Sequence, residues 1–331
     1  MNQFNLSKLL FLMMMITGTM ITFMSSSWPA TWIGLEINLL SFIPIIYHKS
    51  NILTYEAAMK YFLIQTLASS LFLISSILMT LINYSLIYFL ISITMIIKLG
   101  GAPFHMWFPS VMEGLSWNNC LLLMTLQKMA PLLILSYIPN NNCINMTIMM
   151  SIIVGTIGGM NQTSTRKIMA YSSINHLGWM FMTIKMSQNL WKLYFSIYTI
   201  LITSIILMMK NLSMNHINQM SLHPYSPMIK YYLMMNLLSL GGLPPFLGFL
   251  PKWITIEMAM NQSLIIMICV MVWLSLITLY YYIQLSISSF MLNSSHLKWY
   301  MFTNMPSYNF MMITTTITSL LMLPIYSIMA F

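Results

Sequence analysis

The sequence predicts an all-α polytopic membrane protein of about eleven transmembrane helices: two inverted five-helix repeats, each with one broken helix, and a last C-terminal helix. Three observations lead there. Only 5% of the 331 residues are charged and 59% are hydrophobic. A soluble domain carries about 25% charged residues, so this chain cannot cover its surface for water. Long apolar runs follow one another with short polar breaks between them. One Gly–Pro motif also occurs twice, as "LGGAPFHMWFP" from Leu99 and "LGGLPPFLGFLPKW" from Leu240.

A bilayer-crossing helix needs roughly 20 mostly apolar residues. Such runs fall at 6–25, 28–47, 57–82, 85–101, 118–138, 144–160, 168–186, 190–210, 229–259, 263–289 and 309–330. They do not alternate and are far longer than barrel strands of about 10 residues. The first exceeds a signal-peptide core and is followed by no small-x-small cleavage site, so it reads as an uncleaved helix. With an odd number of spans the termini lie on opposite faces. The N-terminal face then carries Lys8, Lys49, Lys60, Arg166, Lys167, Lys210, Lys230 and Lys298, and the other face only Lys185 and Lys192. That asymmetry places the N-terminus inside, in the matrix or cytoplasm.

The motif interrupts the fourth and ninth spans, the fourth member of each five-helix half. The expected organisation is 1–138 for the first repeat, 139–290 for the second and 291–331 for the last helix. Five is odd, so the second half starts from the opposite face and the repeat is inverted. Gly/Pro-broken spans at matching places point to a transport pathway, because broken backbone survives at membrane depth only beside protein or a wet cavity. A single Gly–Pro pair more often only kinks a helix for packing. Two matched ones, with Lys98 just before the first and Lys252 just after the second, favour a pathway.

Charges inside spans sharpen this. Glu36 sits mid-run in "WIGLEINLLSFIP", Lys98 ends "SLIYFLISITMIIK", Lys128 is central in "CLLLMTLQKMAPLLIL", and Glu257 follows Lys252. A charge at the bilayer centre costs about 2.5–3.5 kcal/mol on insertion scales, and such residues pair, face the bundle interior and mark ion or proton routes. Two readings stand for each. Glu36 and Lys98 are either a static ion pair or a proton switch with the two groups a few ångströms apart, in which the carboxylate sets the lysine's charge. Lys128 is too deep to snorkel easily, Lys252 could snorkel, and Glu257 reads as a local partner rather than a relay member. His176, in "YSSINHLGW", either packs or shuttles protons. His105, after the first break, is open in the same way, and nothing is assigned to Glu113.

Composition excludes other chemistry. Cys120, Cys143 and Cys269 are far apart and form no metal-ligand spacing, so no zinc, iron–sulfur or disulfide framework is indicated. No dinucleotide fingerprint or P-loop is present. The net charge of +9 is spread without clusters, which argues against nucleic acid. The 39 methionines fill apolar positions as Leu or Ile would, a pattern that a codon bias of the kind found in some mitochondrial codes would produce.

"TWIGLEINLLSFIP", "EAAMKYFLIQTLASS", "IKLGGAPFHMWFP", "LQKMAP", "GGMNQTSTRKIMAYSSINHLGW" and "SLGGLPPFLGFLPKW" resemble the antiporter-like membrane subunits of respiratory complex I, in their mitochondrially encoded, invertebrate form. The resemblance runs over residues 15–255, and the C-terminal remainder matches in hydropathy alone. It implies a multi-pass subunit of the mitochondrial inner membrane, with the N-terminus in the matrix and the C-terminus in the intermembrane space. It also implies that the chain translocates protons as part of NADH:ubiquinone oxidoreductase. NADH, FMN, iron–sulfur clusters and ubiquinone would be handled by other subunits. Partners would be neighbouring antiporter-like and small hydrophobic subunits, nuclear-encoded accessory subunits and phospholipids. The family's functional residues match Glu36, Lys98, Lys128, Lys252 and His176. Some relatives carry a carboxylate directly after the first motif's last proline, where this chain has Ser110. A stand-alone cation/proton antiporter and a structural membrane scaffold remain the alternatives.

Overall fold

The computed structural model describes residues 6–47, 51–81, 85–138, 142–217, 219, 227–262 and 264–291. The predicted last span, 309–330, lies outside them. The described chain is all-helical apart from one isolated bridge between Ser164 and His216. Seven described helical segments, counting Trp117–Tyr137 as one, are each long and apolar enough to cross a membrane. An all-α polytopic architecture therefore holds.

Most predicted spans form single helices. These are α1 (Leu6–Met24), α2 (Trp28–Ile46), α3 (Ile52–Leu81), α8 (Asn142–Met160), α9 (Thr165–Met186) and α10 (Gln188–Asn211). The fourth, fifth and ninth are interrupted. The fourth span is α4 (Ser85–Leu99), followed by a turn and short α5 (Trp107–Gly114). The fifth was expected to be continuous but divides into α6 (Trp117–Met124) and α7 (Leu126–Tyr137), because Thr125 leaves helical geometry at φ −112, ψ −80. Its hydroxyl bonds Leu121 O at 2.7 Å, and Lys128 N bonds Thr125 O. The ninth span is α11 (Pro227–Gly241) and α12 (Phe249–Asn261), and α13 is Ile265–Met291.

The chain forms two compact units, Met1–Ser151 and Ile152–Phe331, with the division inside α8. In the first unit α1 and α2 pack backbone to backbone. A Cβ on Gly34 would fall 2.8 Å from Gly18 O and 2.6 Å from Thr22 Cγ2. Small residues permit such contact where lipid offers no hydrophobic drive for association. In the second unit α9 is buried from Thr165 to Thr183 on nearly every face. Ser172, Ser173, Asn175 and His176 lie in its buried middle. A helix buried all round has no need of an apolar stripe; Ser172, Ser173 and His176 bond protein groups, while Asn175 Oδ1 has no hydrogen-bond partner among the described residues.

Candidate functional site: buried lysines at broken helices

Each broken helix ends in the same way. After α4, Gly100 takes φ +70, Gly100 N bonds Ile97 O and Gly101 N bonds Ile96 O. After α11, Gly242 takes φ +82, Gly242 N bonds Ser239 O and Leu243 N bonds Leu238 O. Both are Schellman closures, in which a left-handed glycine turns the chain back over the last carbonyls. Aligned on these glycines, Pro103 matches Pro245, Phe104 matches Phe246 and Pro109 matches Pro251. The "LGG" match read from sequence is thus one residue out of register. In the structural register Lys98 falls opposite Leu240, and Lys252 falls opposite Ser110. The two lysines therefore reach their breaks from different sides.

The carbonyls freed at a helix end need donors. At the first break Gln65 Nε2 donates to Lys98 O at 3.1 Å, and Trp107 Nε1 to Ile97 O at 3.2 Å. At the second break Lys252 Nζ itself donates to Gly241 O at 2.7 Å. Lys252 is buried and lies 5.9 Å from the centroid of the Trp179 ring. Lys98 is buried in the last turn of α4. Lys98 thus belongs to the last turn of α4, whereas Lys252 reaches the last carbonyl of α11 from the first turn of α12.

In the first unit Lys98 and Lys128 line one cavity together with Asn38, Tyr61, Gln65 and Gln127. Its volume is about 20 Å³, enough for one water at roughly 10–15 Å³ each. Gln127 ties its wall together: Tyr61 Oη donates to Gln127 Oε1 at 3.1 Å, and Gln127 Nε2 donates to Asn38 Oδ1 at 2.9 Å. Lys128 is 1% exposed, and its ammonium lies 4.9 Å from the centroid of the Phe108 ring. Glu36 is half-buried on α2 and makes no direct ion pair with Lys98.

His176, in the second unit, bonds the Tyr194 hydroxyl through Nδ1 at 2.9 Å. His105 Nδ1 bonds Pro103 O within its own turn at 3.1 Å, which closes the first break locally. Glu257 is exposed, whereas Lys252 five residues earlier is buried. The hydrogen-bond acceptor of Lys252 is the Gly241 carbonyl. Sequence reading missed Asn38, Tyr61, Gln65 and Gln127. A faint signal existed, since amide side chains in "EINLL", "LIQTL" and "TLQKM" are costly in lipid and so face protein.

A family model described as NADH:quinone oxidoreductase/Mrp antiporter, transmembrane, matches residues 25–278. NADH-ubiquinone oxidoreductase chain 2 of Anopheles gambiae is 50% identical over 310 residues, covering 90% of each chain. That of Aedes aegypti is 47% identical over 319 residues, covering 94% of each. A chain of respiratory complex I from Thermus thermophilus superimposes with a TM-score of 0.84 at 20% identity, covering 98% of this chain and 78% of that one. At that identity the likeness is one of fold.

Proposed function

The chain belongs to the NADH:quinone oxidoreductase/Mrp antiporter transmembrane family, and from that premise we propose that it is a proton-translocating membrane-arm subunit of NADH:ubiquinone oxidoreductase. It is a multi-pass protein of the mitochondrial inner membrane, as its animal relatives imply. The finer arrangement belongs to the same reading: eleven spans, two inverted repeats of 1–138 and 139–290 with a last helix at 291–331, the N-terminus in the matrix and the C-terminus in the intermembrane space. NADH, FMN, iron–sulfur clusters and ubiquinone are bound by other subunits. Accessory subunits and phospholipids cover its outer faces.

One observation carries the mechanism: two buried lysines, Lys98 and Lys128, line a single water-sized cavity walled by amide and phenol groups. A proton leaving Lys98 Nζ can pass through a water there and be taken up by the neutral amine of Lys128. Glu36 sets the first step. An ionised carboxylate on α2 and an ammonium on α4 attract, and neutralising or withdrawing Glu36 removes that attraction. Lys252 and His176 serve the second unit. A neutral Lys252 keeps N–H donors for Gly241 O, so its proton can leave without undoing the break.

The test is Glu36→Gln in the assembled complex. Shape and hydrogen-bonding capacity persist, so assembly should be normal and coupled turnover should fall. Normal turnover and proton-to-electron ratio would reduce Glu36 to a structural group. The family also contains Mrp antiporters, so the purified chain should also be assayed alone in liposomes. Cation/proton exchange there would favour the antiporter reading.

A further inference from the structure

Gln127 stands next to Lys128 at the start of α7, and its amide is held by three other helices of the first unit. Oε1 accepts from Tyr61 Oη on α3 at 3.1 Å. Nε2 donates to Asn38 Oδ1 on α2 at 2.9 Å and to Met15 Sδ on α1 at 3.3 Å. These partners are firmly seated. Met15, Asn38 and Tyr61 are all buried. Asn38 lies at the tight crossing of α1 and α2, where a Cβ on Gly18 would fall 3.0 Å from Asn38 N. The Tyr61 ring meets Phe42 of α2 edge-on, with centroids 5.2 Å apart.

The start of α7 needs such an anchor. Thr125 interrupts the helix there, at φ −112 and ψ −80, and the first N–H groups of a helix have no acceptors within it. Pro131, four residues after Gln127, has no N–H to offer the Gln127 carbonyl. The ladder of α7 thus holds Gln127 by neither its N–H nor its C=O. The turn is closed locally, by Lys128 N bonding Thr125 O at 3.1 Å. Beyond it, the Phe108 ring lies 4.9 Å from the Lys128 ammonium, and an aromatic face attracts a cation. Phe108 is braced in turn against the left-handed Gly100, where an added Cβ would fall 3.0 Å from Phe108 Cβ. Phe108 therefore aims the lysine tip, and the Gln127 side chain fixes the backbone from which it reaches.

We propose that Gln127 is a positioning residue for the exchange between Lys98 and Lys128: its amide clamps the opened first turn of α7 to α1, α2 and α3, and so keeps Lys128 Nζ at the water-sized cavity the two lysines share. The proposal rests on the reading of Lys128 as a proton carrier. Position matters because a proton crosses through a water only when donor, water and acceptor are all within hydrogen-bond reach. A misplacement of about 1 Å at the reacting groups is enough to slow such a step. The clamp also ties the helix that carries Glu36 to the one that carries Lys128, since Asn38 lies two residues beyond Glu36 on α2. A tilt of α2 is therefore passed to the Lys128 turn.

The test is Gln127→Met in the assembled complex. Met keeps the length and packing of Gln but can neither accept from Tyr61 nor donate to Asn38. Coupled turnover per assembled complex should fall about fivefold, the rate equivalent of about 1 kcal/mol. The solvent deuterium isotope effect on that turnover should rise, because proton transfer has become the slower step. If Gln127→Met prevents assembly, a size swap decides. Gln127→Asn shortens the amide by one methylene and should give both shifts; adding Asn38→Gln restores the reach and should reverse them. A fall in turnover at an unchanged isotope effect, or no reversal in the swap, would make the amide merely structural and overturn the proposal. Wild-type turnover and isotope effect in Gln127→Met, with Lys128→Met impaired, would overturn the clamp and leave the lysine reading intact. If Lys128→Met were also normal, the lysine reading would fail and the clamp with it.

Discussion

At the scale of single residues, what was legible is what is expensive. Lys98, Lys128 and Lys252 stand out in apolar runs because a charge there must be explained. Tyr61 did not stand out, since a phenol in a span costs little and packs like any aromatic. Hydroxyls are uninformative for another reason: Ser172 and Ser173 bond their own helix backbone, so their presence in a span says nothing about a partner. Gly242 is the residue where sequence and geometry meet. Its φ of +82 disfavours any side chain, and an added Cβ would fall 2.9 Å from Lys252 Nζ. Left-handed backbone costs an L-residue roughly 1–2 kcal/mol. Gly242→Ala should therefore lower stability by about that much in thermal unfolding of the purified complex, and should depress turnover by pushing Lys252 off Gly241 O. Gly241→Ala, where the nearest contact is Tyr282 Cδ2 at 3.3 Å, should be milder. Equal effects would mean that the lysine's seat at Gly242 is unimportant.

At the scale of elements, hydropathy located the helices but was blind to where they open. The breaks after α4 and α11 were visible because Gly and Pro mark them. The interruption at Thr125 was not, since one residue in "LLLMTLQKM" changes no apolar average. Pro131 was its only trace, removing the donor that would otherwise reach Gln127 O. The register slip between the two motifs has a similar cause. Sequence matches identical letters, whereas the fold matches the one glycine in each pair that turns left-handed. Each break stays open because its carbonyls have donors. Gln65→Leu removes the donor to Lys98 O. A buried acceptor left without one costs about 1–3 kcal/mol. The midpoint of thermal inactivation should drop accordingly, and turnover should fall with it because Gln65 also walls the Lys98–Lys128 cavity. An unchanged midpoint would show that another group closes the break.

At the scale of the whole molecule, composition alone fixed the class, and motif order fixed the family, because both depend on residue types rather than contacts. The sequence reading divided the halves at 138/139, whereas the compact units divide at 151/152 inside α8, a placement that depends on which helices touch. Large apolar side chains cover the outer faces of α1 and α3, among them Leu10, Met13, Met20, Leu63, Leu67 and Ile74. Lipid or other subunits must cover them, so the chain should migrate in native gels of solubilised membranes within a large respiratory assembly. A monodisperse, active single chain from native membranes would contradict that. The central claim is that buried lysines carry protons rather than merely hold helices together, and Lys128→Met tests it most directly. Met keeps the length and apolar packing of a residue that is almost wholly buried, so the complex should assemble. The decisive measurement is the number of protons moved per electron passed from NADH to ubiquinone by that assembled complex. A lowered ratio or a collapse of coupled turnover is the predicted result; an unchanged ratio at unchanged turnover would mean the lysine is structural and the mechanism is wrong.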